Sequence, residues 1–283
     1  MSKLSEIIET YIAEILPRKR PKTQINQRQQ LEFWSKHLGE MNIAEIKPLD
    51  VIRTRGLIKG SDSTKNIYMA ALRHLFTIAV KEFGVLNENP ILKVSNLKNP
   101  RGRVRYLSDE ERKNLLAACE ESSNPHLYII VLLALSTGAR KMEIMNLTWA
   151  DVDLDKKMIY LRETKNGDIR TLPIVPKIGE ILLEKFKESK TALLFPSERN
   201  SEKSIEIKSP FEKALKRAGI TNFHFHDLRH SCASYLVMNG ASLNEIAEVL
   251  GHKSLNMVKR YAHLSTSHIS SVVNSMADKI FKE

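Results

Sequence analysis

Three features of the sequence predict a mainly α chain with a small antiparallel β-sheet, folded as two domains. Apolar residues recur at helical spacing from Leu4 onward, and two Ser-x-x-Glu pairs, Ser108 with Glu111 and Ser242 with Glu245, mark helix starts by reciprocal capping. Asn166-Gly167 lies between two short β-rich runs and signals a tight hairpin. A basic, proline-containing run at 87 to 105 then divides the 283 residues into a shorter N-terminal and a longer C-terminal part, each large enough for its own core.

In chain order, apolar positions 4, 7, 8, 11, 12, 15 and 16 make an amphipathic first helix that ends before Pro17. A basic loop at 18 to 22 leads to a second helix, capped by Thr23, with Leu31, Phe33, Trp34 and Leu38 inward and Gln24, Gln27, Arg28 and Gln29 outward. A third helix runs from near Ser63 to Gly84 on a stripe of Ile67, Ala70, Ala71, Leu75, Ile78 and Ala79. These spacings also suit an ordinary helical bundle.

Charge is unevenly distributed. The chain carries 44 Lys and Arg against 33 Asp and Glu, a formal net charge of +11, and residues 51 to 105 alone hold 11 basic against 3 acidic side chains. Such an excess calls for a polyanionic partner or an acidic surface. The run at 87 to 105 reads as a solvated linker, with residues 91 to 105 joining domains at 1 to 90 and 106 to 283. Cys119 and Cys232 sit in helical, partly apolar patterns and offer no disulfide framework. Acids interrupt the N-terminal apolar stretch where a signal peptide would be unbroken, and no apolar run is long enough to span a bilayer, so a cytoplasmic chain is expected.

The second domain opens with the Ser108 helix, followed by a strongly apolar helix over about 125 to 135 whose end delivers Arg140 on a turn. Glu143, three residues on, can hold that guanidinium in place. Strands are expected around 151 to 153, 158 to 163 and 169 to 175, with Lys165 at the tip of the Asn166-Gly167 hairpin and Lys156 and Lys157 in the preceding turn. Residues 177 to 216 read as a helix, a turn, a polar loop and another helix starting near Ser209. A helix from His226 to a Gly240 stop puts His226 and Arg229 on one side. The Ser242 helix stops at Gly251 and presents His252, and Ser254 opens a further helix carrying Tyr261 beside Lys259 and Arg260. Residues 269, 272, 273, 276 and 280 form one more apolar stripe in the tail.

Three histidines, two arginines and a tyrosine thus converge. His224, His226 and His230 are spaced so that they could ligate zinc, but Arg229, Lys259 and Arg260 would repel a cation and suit an anion, most simply a phosphate. There is no GxxxxGK[ST] loop, no GxGxxG after a strand and no carboxylate cluster of the two-metal kind, so no cofactor is expected.

Arg140 in LALSTGARKMEIMNLTWADV, the HDLRH run at 226 to 230, the LGH run at 250 to 252 and Tyr261 nine positions later occur in the order found in the tyrosine recombinase (phage integrase) family, which the chain resembles closely over about 104 to 265. Lys141 after Arg140, and Met257-Val258 before the tyrosine, depart from its commoner residues. The resemblance implies an N-terminal helical, SAM-like domain and a catalytic domain that together clamp double-stranded DNA. It implies a catalytic set of Arg140, Lys165, His226, Arg229, His252 and Tyr261, with Tyr261 the nucleophile, His226 its base, Lys165 the general acid and His230 structural. It further implies a 3′-phosphotyrosyl intermediate, a tetrameric synapse on recombination sites, a tail helix that docks on a neighbouring protomer, and accessory DNA-bending or directionality proteins. Arg28, Lys65, Arg101, Arg103 and Arg105 are the expected DNA contacts. Two other functions share this fold or chemistry: a regulator that binds DNA without cutting it, and a type IB topoisomerase-like relaxing enzyme.

Overall fold

A computed structural model describes residues 2–99, 103–162, 169–252, 254–265, 273–274, 276–278 and 280–281. The chain separates into two compact units, Met1–Gly102 and Arg103–Glu283.

The first unit is helical. Helices α1 (Leu4–Glu14), α2 (Pro21–Leu38), α3 (Pro48–Gly56) and α4 (Asp62–Lys81) enclose one core. Leu4, Ile8 and Tyr11 of α1 meet Leu31, Trp34 and Leu38 of α2 and Met69, Leu72, Leu75 and Phe76 of α4. The indole N–H of the fully buried Trp34 donates to the carbonyl of Tyr68 at 3.0 Å, so its one polar group is satisfied.

Three sequence expectations change here. Helix α2 starts at Pro21, whose fixed φ suits the first helical position, and not after Thr23. Helix α4 buries Met69, Leu72 and Phe76 in place of Ile67 and Ala70, which are exposed, because the i, i+3, i+7 seam of the larger side chains faces the core. Helix α3 was not anticipated: it spans nine residues and buries only Val51 and Thr54, too few for a periodic signal.

The run expected as a free linker is packed at both ends. Ile91 and Val94 are buried in the first unit, Arg73 donates to the carbonyls of Ile91 and Val94, and Asn66 bonds both the N–H and the carbonyl of Leu97. On the other side, Arg103 pairs with Asp227 and Arg105 with Glu111, both in the second unit.

The second unit centres on the apolar helix α6 (Leu127–Thr137), against which α5 (Asp109–Glu120) and α10 (Asp227–Met238) pack. Short α7 (Lys141–Met145) leads to a three-stranded antiparallel sheet of β1 (Val152–Asp153), β2 (Met158–Leu161) and β3 (Arg170–Pro173), in which Ile159 faces Leu172 and Leu161 faces Arg170. Helix α8 (Pro176–Glu188) follows. A second hairpin, β4 (Pro196–Ser197) with β5 (Asn200–Ser204), occupies the stretch expected as a polar loop, its side chains too exposed to leave an apolar pattern. Helices α9 (Lys208–Arg217) and α11 (Leu243–Leu250) complete the regular elements, and both serine capping pairs form as read from the sequence.

Two glycines set the approach of these helices. Gly138 ends α6 at φ 60°, and a Cβ there would sit 2.4 Å from Cδ2 of Leu250, so only glycine lets the helix end press against α11. Gly251 ends α11 at φ 64°. The tyrosine segment Lys259–Ser265 is a 3₁₀ helix and not the expected α-helix, held from inside by buried Val258 and Tyr261. Of the tail stripe, residues 269 and 272 lie outside the described residues, while Val273, Met276 and Ile280 are exposed.

Candidate active site

Helix α10 carries Arg229 into the interior, where the side chain is only 4% exposed. Its Nη1 donates to the carbonyl of Gly138 and its Nη2 to the carbonyl of Leu250, each at 2.6 Å. One guanidinium therefore fixes two turns at once, the end of α6 that leads to Arg140 and the end of α11 that leads to His252. Two of its five N–H donors are engaged in this way. Burial, followed by the charges of Arg140 and Arg170, pulls its pKa down to about 10, which still leaves it cationic at neutral pH.

Arg140 stands at the head of α7. Glu143 accepts the Arg140 backbone N–H at 2.9 Å and its Nη1 at 2.5 Å, so the carboxylate anchors both the turn and the side chain. Oε2, the oxygen that takes the Arg140 backbone N–H, also accepts Nη2 of Arg170 at 3.0 Å. Burial raises the Glu143 pKa, but the Arg140 hydrogen bonds and both guanidinium charges outweigh it and hold the carboxyl below its ordinary value. Arg170 was not singled out from the sequence. Its only signal there is position: it takes an inward place on β3, which alternation reserves for apolar residues.

The nucleophile candidate is sheathed. Tyr261 is 2% exposed, and its hydroxyl lies 2.5 Å from Nδ1 of His230. Desolvation raises the phenol pKa against the lowering fields of Arg260 and Arg229. His230 is brought to about 4, first by burial and then by His226, so it is a neutral ring at pH 7. The contact of Tyr261 in this structure is thus with His230, where the sequence reading expected His226 as the base. Residues 226 and 230 lie one helical turn apart, and it is the second that reaches the tyrosine, with the His226 ring edge-on to His230 at 5.4 Å. His226 itself is shifted down by burial and the nearby Arg229.

His252 follows the Gly251 turn with its Nδ1 buried and, among the described residues, without a hydrogen-bond partner. Burial, then Arg229, Arg140, Arg260 and Arg170, bring its pKa to about 4. The shared fields show Arg140, Arg170, Arg229, His226, His230, His252, Arg260 and Tyr261 to be one cluster. Its excess of cations suits a bound anion. Among the described residues no group of three His, Cys, Asp or Glu side chains could hold a metal ion.

The remaining expectations divide. Lys165 and Arg101 lie outside the described residues, and Lys156 and Lys157 are exposed in the β1–β2 turn. Arg103 and Arg105 are not free cations of a linker: Arg103 bonds Asp227 and Asn222, and Arg105 clasps Glu111 while lying over the Phe223 ring at 5.3 Å. Lys65 pairs with Asp62 at 3.7 Å, and Arg28 is exposed on α2. No helix among the described residues is long and apolar enough to cross a membrane, and both cysteines are free and buried.

Residues 105–268 match the Phage integrase family. The chain is 32% identical over 232 residues to the integrase of Salmonella phage P22, across 77% of this chain and 58% of that protein. It is 33% identical over 237 residues to a shufflon-specific DNA recombinase of Escherichia coli, across 83% and 58%. The chain thus spans about three fifths of the length of these relatives. In fold it is similar to lambda integrase, solved as a dimer bound to a COC′ core site, with a TM-score of 0.75 at 20% identity over 90% of this chain and 97% of that one. The same protein has also been solved as a tetramer bound to a Holliday junction. The motifs at Arg140, 226 to 230, 250 to 252 and Tyr261 all fall within the matched span, and with it the chain belongs to the phage integrase family of tyrosine recombinases.

Proposed function

We propose that the chain is a site-specific DNA recombinase that cuts and rejoins double-stranded DNA through a 3′-phosphotyrosyl intermediate, as the integrase of a phage or other mobile element. The observation that carries this reading is the pairing of the Tyr261 hydroxyl with a neutral His230 inside a cluster of arginines. Transfer of a phosphoryl group to a phenol needs a base for its proton and cations for the charge that builds on the phosphate oxygens.

In this mechanism Arg140, Arg229 and His252 hold the non-bridging oxygens of the scissile phosphate. Tyr261 loses its proton to His230 and its oxygen attacks phosphorus. The bond from phosphorus to the 5′-oxygen breaks, and Lys165 supplies the leaving oxygen with a proton. His226, adjacent to Arg229, is left to hydrogen-bond the phosphate. The ester conserves the energy of the broken bond, so a second 5′-hydroxyl can reverse the step on a new partner. With Tyr261 2% exposed, its 3₁₀ segment must move before attack, and engagement of the duplex is the event that moves it. The N-terminal helical unit would grip the duplex, with Arg28 among its exposed cations.

One tyrosine makes one covalent bond and strand exchange between two duplexes needs four, so the working form is a tetramer on paired sites, with accessory DNA-bending or directionality proteins as further partners. A chromosome-wide test is direct. DNA covalently trapped on the protein in its host is recovered under denaturing conditions and sequenced, and the modified peptide is identified. The expected result is one preferred sequence with its 3′-phosphate on Tyr261. Absence of covalent DNA would leave a regulator, and plasmid relaxation without recombinant products would leave a topoisomerase.

A further inference from the structure

Strand β3 keeps its alternation of burial but gives its first inward place to a cation, with the exposed Ile169 just before it. Ile169 is 62% exposed, while Arg170 is 7% exposed and shares the inward face with Leu172. An apolar residue is turned to solvent so that a guanidinium can be turned inward. Local rules broken in this way mark functional positions more often than accidents.

The buried guanidinium is incompletely used. Its Nη2 bonds Glu143, but among the described residues Nε and Nη1 have no partner. The group lies flat against the turn before His252: a Cβ on Gly251 would come within 2.8 Å of Nη1 and 3.4 Å of Cδ. One residue further on, Nδ1 of His252 is also buried and unpartnered. Unpartnered guanidinium donors and an unpartnered imidazole nitrogen therefore flank the same two-residue segment.

We propose that Arg170 is a positioning residue for the phosphate site: it holds the Glu143 carboxylate against Arg140 and, once an anion is bound, donates from Nη1 to Nδ1 of His252, fixing the proton of that ring on Nε2. The logic is one of inventory. A neutral imidazole carries one N–H, and the nitrogen that bears it is decided by what the other nitrogen meets. A carbonyl beside Nδ1 would select the Nδ1–H form, but arginine has donors only, so it selects the Nε2–H form that can donate to a phosphate oxygen. Burial, together with the surrounding cations, keeps His252 neutral, which makes the choice of tautomer matter. This inference rests on the strand-transfer reading only for the identity of the anion.

The test uses the full chain with histidine ¹⁵N labelling, inorganic phosphate as the anion, and His252→Gln to assign the signal. The wild type should show His252 with its proton on Nε2 when phosphate is bound, and Arg170→Met should lose that preference. A proton on Nδ1 in the wild type, a measurement that needs no variant to fold, would overturn the proposal. So would an unchanged Nε2–H form in Arg170→Met. On cleavable DNA, Arg170→Met should slow covalent attachment about a hundredfold, as misplacement of a reacting group does, with DNA affinity held within about threefold, and Arg170→Lys should restore part of the rate. Equal losses of affinity and rate would reduce Arg170 to a structural role. Covalent DNA missing from the wild type, with the tautomer still dependent on Arg170, would sink the recombinase reading and support the positioning role.

Discussion

Replacing Glu143 with glutamine removes one negative charge and almost no volume, and the structure allows its effect to be worked out. The carboxylate accepts three hydrogen bonds, from the Arg140 N–H, Arg140 Nη1 and Arg170 Nη2, at 2.9, 2.5 and 3.0 Å. Its side chain is 5% exposed, that of Arg170 7% and that of Arg140 29%. Breaking one side of a buried ion pair costs about 3–5 kcal/mol. Arg140 is partly wetted, which screens its share and favours the low end, about 3 kcal/mol. The amide also turns an N–H₂ toward a guanidinium that has only donors. For a unit of about 180 residues, each kcal/mol moves the melting temperature by about 2–4 °C, so Glu143→Gln should melt about 6–12 °C below the wild type. A misaimed Arg140 should cost a further hundredfold to thousandfold in cleavage, roughly the loss of one oxyanion donor. Because the carboxyl sits below its ordinary pKa, its stabilisation is complete above about pH 4.5 and lost as pH falls through the lower folded value. The variant should lack that acid limb. Calorimetry between pH 3 and 7 and single-turnover cleavage read all three effects, and a variant that melts and cleaves like the wild type would refute the shared-anchor argument.

Four other outcomes follow from the same geometry. Tyr261→Phe should abolish covalent attachment while DNA binding persists, and it should cost about 1–3 kcal/mol because the buried His230 acceptor loses its donor; a covalent complex in the variant would remove Tyr261 from the nucleophile role. His230 and His252 titrate near 4 when folded, below the ordinary 6.5, so their contribution is present above about pH 6.5 and declines as pH falls toward 4; urea midpoints that stay level from pH 7 to 5 would contradict their burial as neutral rings. Gly138→Ala forces an L-residue to φ 60° and meets Leu250, so a loss of about 2–5 kcal/mol is expected with a matching loss of cleavage, and normal values of both would show that the two turns are not coupled. Replacing Arg103 and Arg105 together by glutamine should lower the melting temperature of the catalytic unit and change the salt slope of DNA binding little, since both are already paired; a reduced slope at unchanged stability would return them to the DNA interface.

The sequence made most of the site legible because its residues sit at helix ends, where chemistry and local structure use the same letters. Ser242 with Glu245, Gly251 and the Gly138 turn fix where His252 and Arg140 must emerge, and each appears as read. What stayed hidden depends on facing. His226 and His230 share one helical side, and spacing cannot say which of them meets a tyrosine 31 residues downstream of the second. The buried place of Arg170 follows from the register of β2 on β3, a pairing between strands that a single chain of letters does not display. The packed ends of the expected linker were hidden by its charge: Asp227 and Glu111, which pair with its arginines, and Arg73 and Asn66, which bond its backbone, are supplied from elsewhere in the chain.

Three guanidiniums, Arg140, Arg170 and Arg229, stand within reach of one another's fields around a single carboxylate, Glu143. The charges do not balance, and water cannot make up the difference for Arg170 and Arg229, which are 7% and 4% exposed. Burying an excess of like charge destabilises the free protein. The fold tolerates it because Arg229 spends its donors on the carbonyls of Gly138 and Leu250, converting a charge it must hide into the brace that closes two helix ends. On the reading proposed above, a phosphodiester beside Arg140 and His252 would supply the missing anion. The same cluster that strains the free chain would thereby be preorganised for the developing charge of phosphoryl transfer. Among the described site residues, Tyr261 alone is carried on a 3₁₀ segment, and on the reading proposed above that segment is the one to rearrange.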